Sequence, residues 1–435
     1  MNVQMLVTPG CVTVTPWVSS IESKLKLHRR VSSVVPWDMD SASFRTMRTK
    51  HTRYEPLFVK EPETGGSGYV YPGLLEHTKK LLEVAGHAVS VVDLRPPVPP
   101  GDYTLLTKEL RAGQEEILNV LCTEHNATIK AAAGLGKTET IVQYLNICPK
   151  LRVGIVTFRG DVRDSIYRRI KEGCPHRHPC MLSAGNKHFN TDSYVLVAKS
   201  LHRLDPDMID VLLIDEVHGA AAEVALQKFE AFIQGRIFGF SATPAGRSDL
   251  ADLGVTALCG PVRVNLSYGF AEATGSVVPM YVFMYKVGGP SDLKQTFSDH
   301  LREKRGIWCN LERNQKIADL ARAIDKDQQI LITCRALEHV LNIRRLLPEA
   351  VCVFRPPNAS RRQVLENKRL LPPGWTDSEM FRTDAEAVLA DFQERKIMIA
   401  ITTPIWGEGV DFPGLQWVIR ADATSNKVAN IQTSS

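Results

Sequence analysis

The chain has 435 residues, 44% hydrophobic and 23% charged, enough for two or three domains and too apolar for wholesale disorder. No run approaches the ~18 apolar residues of a membrane-spanning helix, and a start broken by Pro9 and Pro16, with its first basic residue at Lys24, predicts no secretory leader. Nine cysteines spread from Cys11 to Cys352 are too sparse for a disulfide scaffold and predict a reducing, cytoplasmic setting; the net charge of +5 permits a nucleic-acid partner without demonstrating one.

Residues 1–95 hold short β-like runs at 12–14, 69–71 and 89–92 and an amphipathic stretch from Leu74 to Ala85. Arg95-Pro96-Pro97-Val98-Pro99-Pro100-Gly101 can continue neither a helix nor a central strand. It marks an expected boundary: an accessory domain at 1–95, then a linker at 96–103. Beyond it, strand-like runs at 127–132, 151–158, 194–198, 211–214 and 237–240 alternate with helix-like runs at 138–148 and 162–171. Such alternation predicts a parallel sheet with helices on both faces. Val211-Leu212-Leu213-Ile214, apolar throughout, reads as a strand buried on both sides. Residues 251–277 are expected to connect this domain (104–250) to a second alternating block (278–435). That block has strand-like runs at 280–285, 329–333 and 397–402 and helix-like runs at 315–324, 337–347 and 385–393, with an inserted loop expected at 355–383.

Ala131-Ala132-Ala133-Gly134-Leu135-Gly136-Lys137-Thr138 lies between a strand and a helix with GxxxxGK[ST] spacing, Ala131 standing at the first glycine. In that context Gly134 and Gly136 let backbone N–H groups approach an anion. Lys137 would neutralise the β- and γ-phosphates of ATP, and the Thr138 hydroxyl would ligate Mg²⁺. Asp215-Glu216-Val217-His218 follows the buried strand at once. A carboxylate ending a parallel strand lies beside a neighbouring phosphate loop. Asp215 is placed to hold Mg²⁺ through water, and Glu216 to deprotonate the attacking water.

Taken in order with further segments, these motifs resemble the superfamily-two helicases and translocases of the DExH type. Leu110-Arg111-Ala112-Gly113-Gln114 is similar to the family's LRxxQ element, so the resemblance assigns Arg111 and Gln114 to adenine. Ser241-Ala242-Thr243-Pro244 resembles its SAT motif, which with His218 would couple hydrolysis to movement. Residues 156–159 and 197–201 resemble strand-contacting motifs, with Lys199 where threonine is usual. Residues 402–413 resemble motif five, giving Thr403, Gly409 and Asp411 nucleic-acid roles. The resemblance implies an α/β fold of two RecA-like parallel-sheet domains behind a small α+β N-terminal domain, with ATP in the cleft. Within the superfamily, Tyr69-Val70-Tyr71-Pro72-Gly73-Leu74-Leu75 with its helix and strand resembles the start of phage-type helicases of the UvsW kind. That favours DNA over RNA, and a host cytoplasm if the source is viral.

The family's motif six, QxxGRxxR, follows motif five closely. Here Gln432 could open it, and neither arginine is present before Ser435. An incomplete second domain is therefore expected, with a second chain or a C-terminal segment supplying the rest. The expected function is an ATP-dependent helicase or translocase. An ATP-gated nucleic-acid clamp and the translocating subunit of a restriction system are the alternatives. Two local features stand apart. Residues 41–60 hold five cations against Glu55, with Phe44, Tyr54 and Phe58 interleaved, and read equally as a nucleic-acid surface or a solvated face. Cys174, His176, His178 and Cys180 offer metal ligands at alternate positions, a spacing that suits a surface loop better than a zinc tetrahedron.

Overall fold

The computed structural model describes residues 1–38, 45–61, 66–182, 191–221, 228–243, 252–279, 281–288, 297–372, 374–378, 380–382, 384–406, 412 and 414–422, with the backbone alone at 27–38, 45–55, 221, 299 and 377. The chain divides into two compact units after Pro279. No helix among the described residues is long and apolar enough to cross a membrane.

The first unit opens with β1 (Asn2–Val7), β2 (Val12–Thr15), a long pair β3 (Lys26–Asp38) and β4 (Arg45–Pro56), then β5 (Phe58–Lys60), β6 (Gly68–Val70), helix α1 (Leu75–Val84) and β7 (Ala88–Asp93). Five of these strands form a sheet of order β5-β6-β2-β1-β7, while among the described residues β3 and β4 pair only with each other. Val3, Met5 and Val7 alternate with Val12 and Val14 on one buried face, the period-two pattern of a half-buried sheet.

Next come α2 (Gln114–Thr123), β8 (Asn126–Ala131), α3 (Lys137–Ile147), β9 (Val153–Thr157), α4 (Gly160–Gly173), β10 (Pro179–Leu182), β11 (Ser193–Val197), β12 (Val211–Asp215), β13 (Arg236–Ser241) and β14 (Val262–Leu266). They build a seven-stranded, all-parallel sheet of order β10-β11-β9-β12-β13-β8-β14. Val211 to Ile214 are buried at every position because both faces are covered. One face packs on α2, α3 and α4 through Ile117, Leu145 and Ile166. The other packs on the N-terminal sheet: Val3, Met5 and Leu82 share one apolar cluster with Leu212, Ile214 and Ile237.

The Pro-rich segment runs within one compact unit, and among the described residues the N-terminal sheet shares its apolar cluster with the parallel sheet. Polar ties reinforce the joint: the Tyr71 hydroxyl donates to Glu230, and Arg263 pairs with Glu76. Gly73 sits so close that a Cβ there would lie 2.2 Å from the Thr256 carbonyl oxygen. The stretch 251–277, expected as a connector, supplies the helix Asp252–Cys259 and edge strand β14 of the same sheet.

The second unit is a five-stranded parallel sheet: β15 (Ile330–Thr333), β16 (Val351–Val353), β17 (Phe381–Arg382), β18 (Ile399–Thr402) and β19 (Trp417–Arg420), in the order β17-β16-β18-β15-β19. Helices Leu311–Ala323, Leu337–Leu346 and Ala385–Gln393 flank it. Residues 281–288 form no strand, and Tyr281, Val282 and Met284 are exposed there. The expected loop at 355–383 contains a helix, Ala359–Asn367, whose first turn is capped by Asn358 accepting from the Arg361 amide at 2.9 Å. Its prolines punctuate the ends of that helix and leave its interior intact.

Candidate functional site

In a parallel sheet every strand's C-terminal end reaches the same edge. That edge of the first unit gathers the segments after β8, β9, β11, β12 and β13, all of which the sequence singled out. After β8 the chain turns through Gly134 (φ +83°) and Gly136 (φ +76°) into α3. Only glycine holds this path cheaply: a Cβ at Gly134 would lie 2.6 Å from Val277, and one at Gly136 2.6 Å from Gln114 Nε2. The buried Gln114 ties the loop to the segment that precedes α2. Its Oε1 accepts from the Arg111 amide at 2.9 Å, and its Nε2 donates to the Leu135 and Gly136 carbonyls at 3.3 and 3.4 Å. Lys137 Nζ donates to the Ala131 carbonyl at 3.3 Å and lies 3.9 Å from Glu216 Oε1. The half-buried Thr138 follows in the first turn of α3.

Across from the loop, β12 ends in buried Asp215. Glu216 has φ +51°, a left-handed conformation that costs a non-glycine residue on the order of 1–3 kcal/mol. Its neighbours fix it there. Ser241 Oγ donates to Glu216 Oε2 at 3.2 Å, and His218 Nδ1 lies 3.3 Å from the same oxygen and 3.1 Å from Ser241 Oγ. Ser241 Oγ also accepts from the Thr243 amide at 3.0 Å. The ends of β12 and β13 are thus joined by a short polar chain running from Glu216 to Thr243.

The two carboxyls differ sharply. Burial, then the neighbouring Glu216 charge, pushes Asp215 up to about 6. Burial works the same way on Glu216, but the His218 hydrogen bond and the charges of Lys137 and His218 outweigh it and hold Glu216 below its ordinary value. Two acids thus face one ammonium in a desolvated place, a donor set that a divalent cation fits. Among the described residues no three His, Cys, Asp or Glu side chains converge on a point. A cation here would therefore take few protein ligands and complete its shell with phosphate and water, as magnesium does.

A stability prediction follows. The folded pKa of Asp215 lies above its unfolded value, so the folded state loses stability as pH rises from about 4 through about 6. Asp215→Asn removes that penalty, on the order of 2–3 kcal/mol at neutral pH. Thermal melts of the metal-free protein should show the variant melting higher at pH 7 and level with wild type near pH 4. An unchanged melting temperature at pH 7 refutes the uncompensated charge.

The other sequence candidates separate. Arg111 is exposed beside the loop, and Arg159 and Lys199 follow β9 and β11 on the same edge. In the second unit, Thr403 follows β18 and lines a shallow cavity with Leu337, Phe354 and Arg355. Gly409, Asp411 and Gln432 lie outside the described residues. The cysteine–histidine stretch does not converge: Cys174 is buried and donates to the Val142 carbonyl at 3.3 Å, Cys180 is buried in β10, and His176 and His178 are exposed. Between them lies a residue the sequence reading passed over. Arg177 is buried and donates to the carbonyls of Leu145, Cys148, Leu151 and Asp192. The spacing of buried 174, 177 and 180 is the signal that could have marked it.

Comparison with known proteins supplies the class. Residues 107–246 match the family model for the type III restriction enzyme res subunit, and residues 315–435 match that for the helicase conserved C-terminal domain. The chain belongs to the superfamily-two helicases: an NTP-hydrolysing enzyme with two RecA-like domains that works on nucleic acid. Among solved structures it is similar to bacteriophage T4 UvsW, at 10% identity and a TM-score of 0.43, over 98% of this chain and 84% of that one. It is similar to S. cerevisiae Dbp5 bound to RNA and ADP BeF3, at 13% identity and 0.43, over 75% and 80%. It is also similar to the Mycobacterium smegmatis helicase Lhr bound to ssDNA and AMP-PNP, at 12% identity and 0.44, over 74% and 43%. No curated protein matches the chain in sequence.

Proposed function

We propose that the first unit binds Mg-ATP at this sheet edge and hydrolyses it to drive movement along nucleic acid, with DNA favoured over RNA. The observation that carries the reading is the convergence of Lys137, Asp215, Glu216, His218 and Ser241 on one edge. Backbone N–H groups around Gly134 and Gly136 cradle the phosphates, and Lys137 neutralises their charge. Glu216 stays ionised, takes a proton from water, and the water oxygen attacks the γ-phosphorus in line as ADP leaves. Thr138 and Asp215, the latter through water, would hold the magnesium ion, which neutralises phosphate charge when bound. Gln114 acts by bracing the loop, and Arg111 is free to reach a base from the exposed side. Through Ser241, a change at Glu216 is felt at Thr243, which is the start of coupling. The preference for DNA rests on the resemblance of residues 69–75 to helicases of the UvsW kind.

The test is steady-state ATP hydrolysis with and without single-stranded DNA. Lys137→Ala should lose roughly 10²–10³ in turnover, the usual cost of one preorganised charge, and should bind nucleotide more weakly. Near-wild-type turnover would remove Lys137 from the site.

A further inference from the structure

The strands β3 and β4 form a two-stranded ribbon that joins no other sheet among the described residues. Twelve register pairs, at about 3.4 Å each, make it about 40 Å long. Seven of its residues are lysine or arginine, against Asp38 and Glu55, a difference equal to the +5 of the whole chain. The register sorts them. Lys26, Arg30, Arg48 and Lys50 share one face with no acid on it. Arg29 and Arg53 sit directly opposite each other on the second face. Like charges in that position destabilise a ladder, and an isolated hairpin is marginal in water to begin with. A polyanion between and around the strands reverses both costs.

We propose that this ribbon is a duplex-DNA-binding arm that lies in the major groove and grips the phosphates on either side. The inference rests on the chain being a nucleic-acid motor and names the form of its substrate. A major groove admits a two-stranded ribbon, and about 40 Å spans more than one turn of about 34 Å. Cations on both faces suit a groove, which has a phosphate wall on each side. Trp37 and Tyr54 are the only aromatic residues of the two strands, too few for the stacking platform that grips single strands. The A-form groove of duplex RNA is too deep and narrow to admit the ribbon.

The experiment compares wild type with Arg29→Gln, Arg30→Gln, Arg48→Gln, Lys50→Gln and Arg53→Gln combined. Fluorescence anisotropy over a salt series uses a 30-base-pair DNA duplex, the matching single strand and the matching RNA duplex. Binding of a fluorescent ATP analogue reports that the motor is folded. A second variant replaces 27–55 by Asn-Gly, joining Lys26 to Pro56 where the Leu57 amide already donates to the Leu25 carbonyl at 2.9 Å. Each lost phosphate contact should flatten the log affinity against log salt by roughly 0.9 for duplex DNA. The five substitutions should therefore flatten it by several units, with single-strand and nucleotide binding little changed. An unchanged duplex slope in either variant overturns the ribbon proposal alone, as does an equal loss on the single strand or on duplex RNA. Wild-type protein that binds nucleotide and none of the three nucleic acids overturns the motor reading with it.

Discussion

Glu216→Gln should bind nucleotide as wild type does and hydrolyse it roughly 10²–10⁴-fold more slowly, the range expected for losing a general base. The amide keeps the side chain's shape and can still accept from Ser241, whose hydroxyl lies 3.2 Å from Glu216 Oε2. It loses the charge that faces Lys137 and His218. The left-handed backbone at position 216 is as accessible to glutamine as to glutamate, so folding should be unaffected. Single-turnover hydrolysis alongside binding of a fluorescent nucleotide separates the steps. A loss under threefold would hand the proton to another group, with His218 the nearest candidate.

Arg177→Met should cost about 3–5 kcal/mol of stability without touching the site, the scale on which breaking a buried charged network falls. The guanidinium has no exposed side-chain surface. It donates to four carbonyls, that of Leu145 being an orphan acceptor at the end of α3. Its charge is offset by Asp192, 3.7 Å away. Methionine fills much of the volume but takes the guanidinium donor from the Leu145 and Leu151 carbonyls, each of which then carries about 1–3 kcal/mol of desolvation, while the Cys148 and Asp192 carbonyls keep the Leu151 and Val153 amides. Arg177→Lys should recover only part, because one ammonium cannot fork to carbonyls on three segments. Chemical denaturation followed by far-UV dichroism reads both variants. A loss under 1 kcal/mol for methionine would show that water replaces the guanidinium.

Where burial was two-sided, the sequence was legible. β12 and α3 fall within a residue or two of their expected bounds because continuous apolar runs and a glycine-rich turn announce them. The ribbon was not, since neither face of β3 or β4 is consistently apolar and alternation has nothing to mark. β14 escaped for a different reason: Val262 and Arg263 lie at a sheet edge, exposed, and only Val264 and Leu266 are buried. The 280–285 run misled in the opposite direction: 281–285 form no strand, and Phe283 meets β19 through its ring, stacked on Trp417 with centroids 6.4 Å apart. At the site, the glycine-rich turn before α3 and the acidic end of β12 were readable because each lies in one continuous run of sequence. The polar chain through Ser241 was not, because it depends on β12 and β13 being sheet neighbours.

The common core of the N-terminal sheet and the first parallel sheet has a mechanical consequence. Close-packed interiors transmit strain with little compliance. Val3 and Met5 share a cluster with Ile214, the residue before Asp215, so no tether separates the two sheets. A load applied to the β3–β4 ribbon is borne by the strands that carry the acidic pair, as a handle is borne by the blade. On the proposed reading, tension on a duplex held by that arm is an input to the sheet edge that carries Lys137 and Glu216, and a motor so built should stall where a loosely hinged one would slip.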